Sequence, residues 1–358
     1  MKHYNVIAVI FFVLALSCTK VESDNQREGD FISFTVSRYG IATKAYAEYG
    51  AYESLDNFSS KAFLHAAGSV EASLYFDSVI SWDGATWSPS RDYYWPKHPD
   101  SYVNFVSWYA NDGSADIVPA QATETSFKIT EHTVGAEDRI LVADEAWRQK
   151  NNTTTYYTTG VPTLFRHVLT MVKLNMGLTT DVDPDNSNVT YEVTLQSAKF
   201  EGVFQTGSLA LVNTDPAATG TVRWVAPASA TYLWTKKAGS EADVVIRDTD
   251  TALTTSMTEI LAQRSFLPQE LVSTIKLSLV YSVTTKSNGI VTSTESDIPA
   301  SVVLRTIKNS SSVAITQWVP NKIYTYNIAI NPVNGEILLE PTVESEWSLA
   351  DSIDVTVE

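Results

Sequence analysis

Val189-Thr-Tyr191-Glu-Val193-Thr-Leu195-Gln196 puts an apolar or aromatic side chain at every second position and a polar one between. A strand turns successive side chains to opposite faces, so this spacing predicts a half-buried β-strand. The pattern returns in Ile275-Lys-Leu277-Ser-Leu279-Val-Tyr281-Ser-Val283-Thr284 and in Tyr324-Thr-Tyr326-Asn-Ile328-Ala-Ile330-Asn331. Earlier in the chain, Val70, Ala72, Leu74 and Phe76 alternate with Glu71, Ser73 and Tyr75. Asp83-Gly84 lies between Trp82 and Trp87, and Asn288-Gly289 follows the Ile275 strand. Both dipeptides suit tight hairpin turns, which need positive φ. Helical periodicity is scarce, with Glu137–Gln149 and Thr254–Arg264 as the two stretches expected to make a few helical turns. Many strands separated by frequent turns predict an all-β chain of antiparallel sandwiches.

The chain has 358 residues, enough for two domains of roughly 100–200 residues each. The polar run Asn151-Asn-Thr-Thr-Thr155 and the junction Gly160-Val-Pro162 place a boundary between them. The expected division is therefore an N-terminal sandwich over 31–160 and a C-terminal sandwich over 161–358. Neither half reads as a duplicate of the other. Lys and Arg number 25 against 41 Asp and Glu, a formal net charge of −16. Such a surface repels nucleic acid and anionic membrane, so nucleic acid is excluded as a partner.

The first residues read as an export signal. Lys2 and His3 give a polar, positive start, and an unbroken apolar stretch runs from Val6 to Leu16. That is shorter than the roughly 20 residues needed to span a bilayer and fits a secretory h-region. Cys18, the one cysteine of the chain, follows directly after Ser17. A free cysteine is most often a small buried hydrophobe, but this placement resembles the lipobox of bacterial lipoproteins. Residues 1–17 are then a lipoprotein signal peptide, Cys18 the lipidation site, and 18–30 a polar tether. With no other cysteine, no disulfide staples the body, and the hydrophobic core must supply the stability.

Little in the sequence points to catalysis. His3, His65, His98, His132 and His167 are scattered, without metal-ligand spacing. No glycine-rich phosphate loop and no nucleophile elbow is present. The expectation is a non-enzyme with no metal and no cofactor. The aromatic group Trp82, Trp87, Tyr93, Tyr94, Trp95, Trp108 and Tyr109 admits two readings, a glycan platform or core filling. The alternation in Val103-Asn-Phe105 favours the core.

Several segments together resemble the Bacteroidales fimbrillin family, the type V pilins. They are Phe31-Ile-Ser-Phe34 with Thr43-Lys44-Ala45, Trp82-Asp-Gly-Ala-Thr-Trp87, Tyr94-Trp95-Pro96 and Val103-Asn-Phe105-Val-Ser-Trp-Tyr109. Further along come Asp138-Arg-Ile-Leu-Val-Ala143, Phe165-Arg-His-Val-Leu169, Phe266-Leu-Pro-Gln269 and Trp318-Val-Pro-Asn-Lys-Ile-Tyr-Thr-Tyr326. The resemblance implies two tandem transthyretin-like β-sandwich domains and export as an outer-membrane lipoprotein. It also implies a stalk, tip or anchor subunit of surface fimbriae that serve adhesion. Partners would be other fimbrial subunits, the outer membrane through lipid on Cys18, and a receptor on a host or bacterial surface. The family assembles by strand donation after a trypsin-like protease cuts behind the first strand. Carried onto this chain, the displaced first strand holds Phe31, Phe34 and Val36, and the basic residues behind it are Arg38 and Lys44. Lys44 stands where the family often has Arg, which makes Arg38 the better site; the alternative is that both are ordinary loop charges. The C-terminal Ile353-Asp-Val355-Thr-Val357 alternates as a strand that either completes its own sheet or is donated. The competing reading of the whole chain is a surface lipoprotein that binds glycans without polymerising.

Overall fold

The computed structural model describes residues 31–38, 57–69, 71–98, 100–110, 121–123, 126–143, 146–149, 160–213, 230–308 and 312–344. In the first half the strands are β1 (Phe34–Arg38), β2 (Asn57–His65), β3 (Ala72–Trp82), β4 (Trp87–Pro89) and β5 (Tyr102–Ala110). They continue with β6 (Gln121–Thr123), β7 (Ser126–Thr133), β8 (Ile140–Ala143), β9 (Ala146–Gln149) and β10 (Val161–His167). Next come β11 (Thr170–Leu178), β12 (Val182–Asp183), β13 (Asn186–Phe204), β14 (Thr206–Asn213), β15 (Ala230–Lys236), β16 (Glu241–Arg247) and β17 (Thr251–Leu253). Last are β18 (Thr258–Phe266), β19 (Gln269–Glu270), β20 (Lys276–Ser287), β21 (Ile290–Val303), β22 (Gln317–Trp318), β23 (Ile323–Ile330) and β24 (Ile337–Glu344). The fold is all-β; the one helical element among the described residues is a single 3₁₀ turn, Leu304–Thr306.

The alternating stretches form strands as expected. β13 and β20 pair antiparallel from Val189↔Ser287 to Glu201↔Lys276, so Val193, Leu195, Leu277, Leu279 and Tyr281 share one buried face. The β20–β21 hairpin turns at Asn288 (φ +50°) and Gly289 (φ +78°), the two positive φ angles that Asn-Gly supplies at low cost. At the other expected turn, Asp83 accepts the backbone N–H groups of Ala85 (2.8 Å) and Thr86 (2.7 Å). Those two bonds hold its carboxyl below the usual carboxylate range.

Both expected helices are strands. Glu137–Gln149 contains β8 and β9, and Thr254–Arg264 runs into β18. For β8 the reason is burial on two faces. Leu141 and Ala143 of β8 enter one core, while Ile140 and Val142 enter another, so the strand reads as an apolar run without alternation. Such runs do not distinguish strand from buried helix. β5 behaves alike, with Val103 and Phe105 facing the first core and Val106 and Trp108 the other. The run Val70–Phe76 is a strand from Ala72 on, but a register shift opposite Ala62/Phe63 turns Leu74 out to solvent and Phe76 inward.

Among the described residues, buried apolar side chains gather in three clusters. The first lies inside an eight-stranded sheet ordered β2-β3-β4-β1-β10-β8-β5-β9. Because β2 also pairs with β5, this ring of strands closes on itself. The second cluster lies between the sheet β18-β11-β23-β24 and the sheet β12-β13-β20-β21. The third joins residues of both halves, among them Trp108, Ile129, Leu169, Leu209 and Ile323. It is covered by a four-stranded sheet, β15-β14-β7-β6, whose central ladder pairs β14 with β7. Trp234 of β15 ties this sheet down by donating its indole N–H to the carbonyl of Val168 (2.7 Å). The junction expected at Gly160 opens on β10, a strand that pairs with β1 and β8 of the first sheet.

Candidate functional site: the first strand and its groove

β1 closes the ring from the chain's own beginning. Its register with β10 is parallel, from Phe34↔Val161 to Arg38↔Phe165. On its other side it meets β4 at one antiparallel pair, Phe34↔Trp87. Just ahead of it, Ile32 donates its N–H to the carbonyl of Tyr93 (2.8 Å), and Phe31 forms an isolated antiparallel bridge with Tyr94. Val161 in turn donates its N–H to the carbonyl of Ser33 (2.6 Å).

Period-two geometry turns Ile32, Phe34 and Val36 into the first core, where all three are buried. Phe34 packs edge-on against Phe58 (ring centroids 5.7 Å) and Phe105 (5.6 Å). Phe58 also meets Trp87 (5.5 Å) and Phe165 (5.1 Å), so Phe34 occupies a box of aromatic rings. Edge-to-face pairs at these spacings favour a single arrangement. Phe31, named with Phe34 and Val36 in the candidate first strand, is out of phase with them. It is 38% exposed and lies against the ring of Tyr94 at 4.5 Å. Ile32 is the inward residue in its place, a reading that the alternation Ile32-Phe34-Val36 already offered.

Gly160 sets the depth of the groove. Its φ is +87°, and a Cβ there would lie 2.9 Å from the carbonyl carbon of Phe34 and 3.0 Å from the carbonyl group of Ser33. Only a residue without a side chain lets β1 pass so close.

Arg38 is the last residue of β1, opposite Phe165. Cys18, Lys44, Ile353, Val355 and Val357 lie outside the described residues. The aromatic group of the sequence is mostly core: Trp87, Trp95 and Trp108 are buried, and Trp82, Tyr93 and Tyr109 pack against the first cluster.

The arrangement offers little to catalysis. Among the described residues no three His, Cys, Asp or Glu side chains gather as metal ligands. One polar knot went unnoticed in the sequence. His132 Nε2 lies 2.7 Å from Asp138 Oδ2, which also accepts the N–H of Gly135 (2.7 Å). Ser265 stands beside them, but its hydroxyl donates to the backbone carbonyl of Asp138 (2.7 Å). That bond ties β18 to the loop before β8 and turns the Ser265 hydroxyl to a backbone carbonyl instead of the imidazole.

The fimbrillin-like family model matches the sequence over residues 43–347. Among solved structures, a fimbrial protein from Bacteroides vulgatus superposes with a TM-score of 0.51 at 13% identity, covering 89% of this chain and 99% of that one. A candidate cell-adhesion protein from Bacteroides uniformis gives 0.47 at 12% identity, covering 90% of this chain and 100% of that one. No curated protein matches the sequence significantly. The family model spans most of the sequence, and the chain belongs to the fimbrillin-like family.

Proposed function

We propose that this protein is a structural, non-catalytic subunit of an adhesive cell-surface fimbria, joined to its neighbours by strand exchange. Family membership and the fimbrial relative support the fimbrial part of the reading. The observation that carries the exchange is the placement of β1. It is the strand whose removal would open the closed ring and leave two unpaired edges, one on β10 and one at Trp87 of β4. Open edges of this kind are templates for a strand from another chain.

In this reading, two tandem sandwiches, joined between His167 of β10 and Thr170 of β11, follow a signal peptide, and lipid on Cys18 holds the subunit at the outer membrane. A protease cut after Arg38, or after Lys44, separates β1 from the body. The strand is then held by non-covalent bonds alone and can be replaced. The segment bearing Ile353, Val355 and Val357 is this chain's own candidate donor.

Chain isolated from surface fibres of its source cell tests the proposal. N-terminal sequencing is expected to begin beyond Arg38, and unboiled SDS gels are expected to hold the chain in high-mass species. Fibre-bound chain that retains Phe31–Arg38, or chain that never enters such species, overturns it.

A further inference from the structure

The two large cores use the same chemistry around a buried tryptophan, and one of them lacks a part. In the second core, Trp318 lies against Phe266 (5.0 Å) and Phe200 (5.8 Å) and donates its indole N–H to the hydroxyl of Tyr326 (2.9 Å). Both residues are buried, and burial holds the Tyr326 phenol well above its ordinary pKa, so the hydroxyl is neutral. In the first core, Trp87 lies against Phe58 and Trp82 (5.7 Å), is 1% exposed, and pairs directly with Phe34. Its Nε1–H has no hydrogen-bond partner among the described residues. A buried donor left unpaired costs about 1–3 kcal/mol relative to one that is satisfied.

The residue that carries the unpaired group is the one β4 residue in register with β1, and it belongs to the same buried cluster as Phe34. The residue paired with it, Phe34, carries an aromatic ring and no acceptor. Adding the strand-exchange reading above, on which this inference rests, we infer that the groove's permanent occupant is a strand from another subunit with tyrosine at the Phe34 position. Its hydroxyl accepts from Trp87 Nε1–H, as Tyr326 accepts from Trp318. The full signature is an aliphatic residue at the Ile32 position, tyrosine at the Phe34 position and a β-branched residue at the Val36 position, with polar residues between. β1 is then a placeholder that fits the groove by shape and leaves its polar requirement unmet. A second copy's Ile353-Asp-Val355-Thr-Val357 fits worse: Val355, its central residue, neither fills the aromatic box nor accepts a hydrogen bond. The partner is accordingly a different subunit.

The test uses the full chain with its own strand weakened by Phe34→Ala, titrated with synthetic peptides of residues 31–37. One peptide keeps phenylalanine at the Phe34 position, one carries Phe34→Tyr, and one carries Phe34→Val. The Tyr peptide is expected to bind about tenfold more tightly than the Phe peptide, the ratio that one satisfied buried donor confers. The Val peptide is expected to bind weakest. In a Trp87→Phe background the preference for Tyr over Phe is expected to vanish. Equal binding of the Tyr and Phe peptides overturns the tyrosine signature while leaving strand exchange intact. Failure of every peptide to bind overturns both. If Phe34→Ala does not fold, Phe34→Tyr in the otherwise native chain serves instead. A melting temperature above wild type, with no gain in a Trp87→Phe chain, supports the inference, and an unchanged or lower one overturns it.

Discussion

β1 and β11 hold corresponding places in the two halves, and they are held very differently. Each runs parallel to a strand that comes much later in sequence, β10 for the one and β23 for the other. β11 keeps its parallel register from Met171↔Ile323 through Leu178↔Ile330. Its opposite side is paired with β18 from Thr170↔Phe266 to Met176↔Thr258, so it is interior to its sheet along its length. β1 has the shorter parallel ladder and a single pair on its other side. The cores they complete differ in the same sense, one with its tryptophan N–H satisfied and one without. The same topological device is thus paired on both sides in one half and, in the strand-exchange reading proposed above, becomes a removable part in the other.

The contrast breaks most sharply under core truncation. Leu174→Ala in β11 and Phe34→Ala in β1 are expected to cost about 2–5 and 3–5 kcal/mol respectively. Amide exchange separates them: Leu174→Ala is expected to expose β11, β18 and β23 together, whereas Phe34→Ala exposes β1 and the facing edges of β4 and β10. Faster exchange in β23 caused by Phe34→Ala would erase the distinction.

Glycine replacement sharpens it at a smaller scale. Gly335, in the turn between β23 and β24, has φ +73°, and a Cβ added there would meet nothing within 4 Å. Gly335→Ala is therefore expected to cost about 1 kcal/mol, the left-handed backbone penalty alone. Gly160→Ala adds a collision with the backbone of Ser33 and Phe34, and on the order of 3 kcal/mol is expected. Chemical denaturation measures both, and protease accessibility at Arg38 is expected to rise only for Gly160→Ala. Equal costs for the two would mean that β1 does not depend on the close pass.

The smallest effect is alkaline. Burial raises the pKa of Tyr326 and, less strongly, of Tyr324 and Tyr281 in the second half. A phenol kept neutral in the folded chain ionises first in the unfolded one, so stability is complete below pH about 10 and falls as pH rises beyond it. Tyr326→Phe is expected to lower the proton release of alkaline unfolding by about one, read from the pH dependence of the denaturation midpoint. An unchanged slope would place the ionising groups elsewhere.

The sheets were legible where one face is wet. β13 and β20 carry clean alternation because one side of each meets a core and the other is more open, and Asn288-Gly289 announced its hairpin. β5 and β8 were obscured because both faces are buried, and β8 read as helix for that reason. The sheet joining β7 to β14 left no trace in local pattern, since its pairing is set by elements remote in sequence. At the site, the family resemblance pointed to β1, while Ile32, which fills the core in phase with Phe34 and Val36, was not among the residues it singled out. The unpaired Trp87 N–H depends on what stands around it in three dimensions, which no spacing encodes.

The sheet shared by the two halves bears on how a fibre of such subunits carries load. In the proposed fibre, a pull between neighbouring subunits enters along the strand that replaces β1, and a ladder to β10 in that register, like the parallel β11–β23 ladder, meets it in shear, with its hydrogen bonds strained together instead of one after another. Between the halves the covalent path is brief, running from His167 at the end of β10 to Thr170 at the start of β11. Force need not pass through that link alone. The β7–β14 ladder and the apolar cluster beneath it offer a second route, so tension in the proposed fibre would be distributed over an interface as well as along the chain.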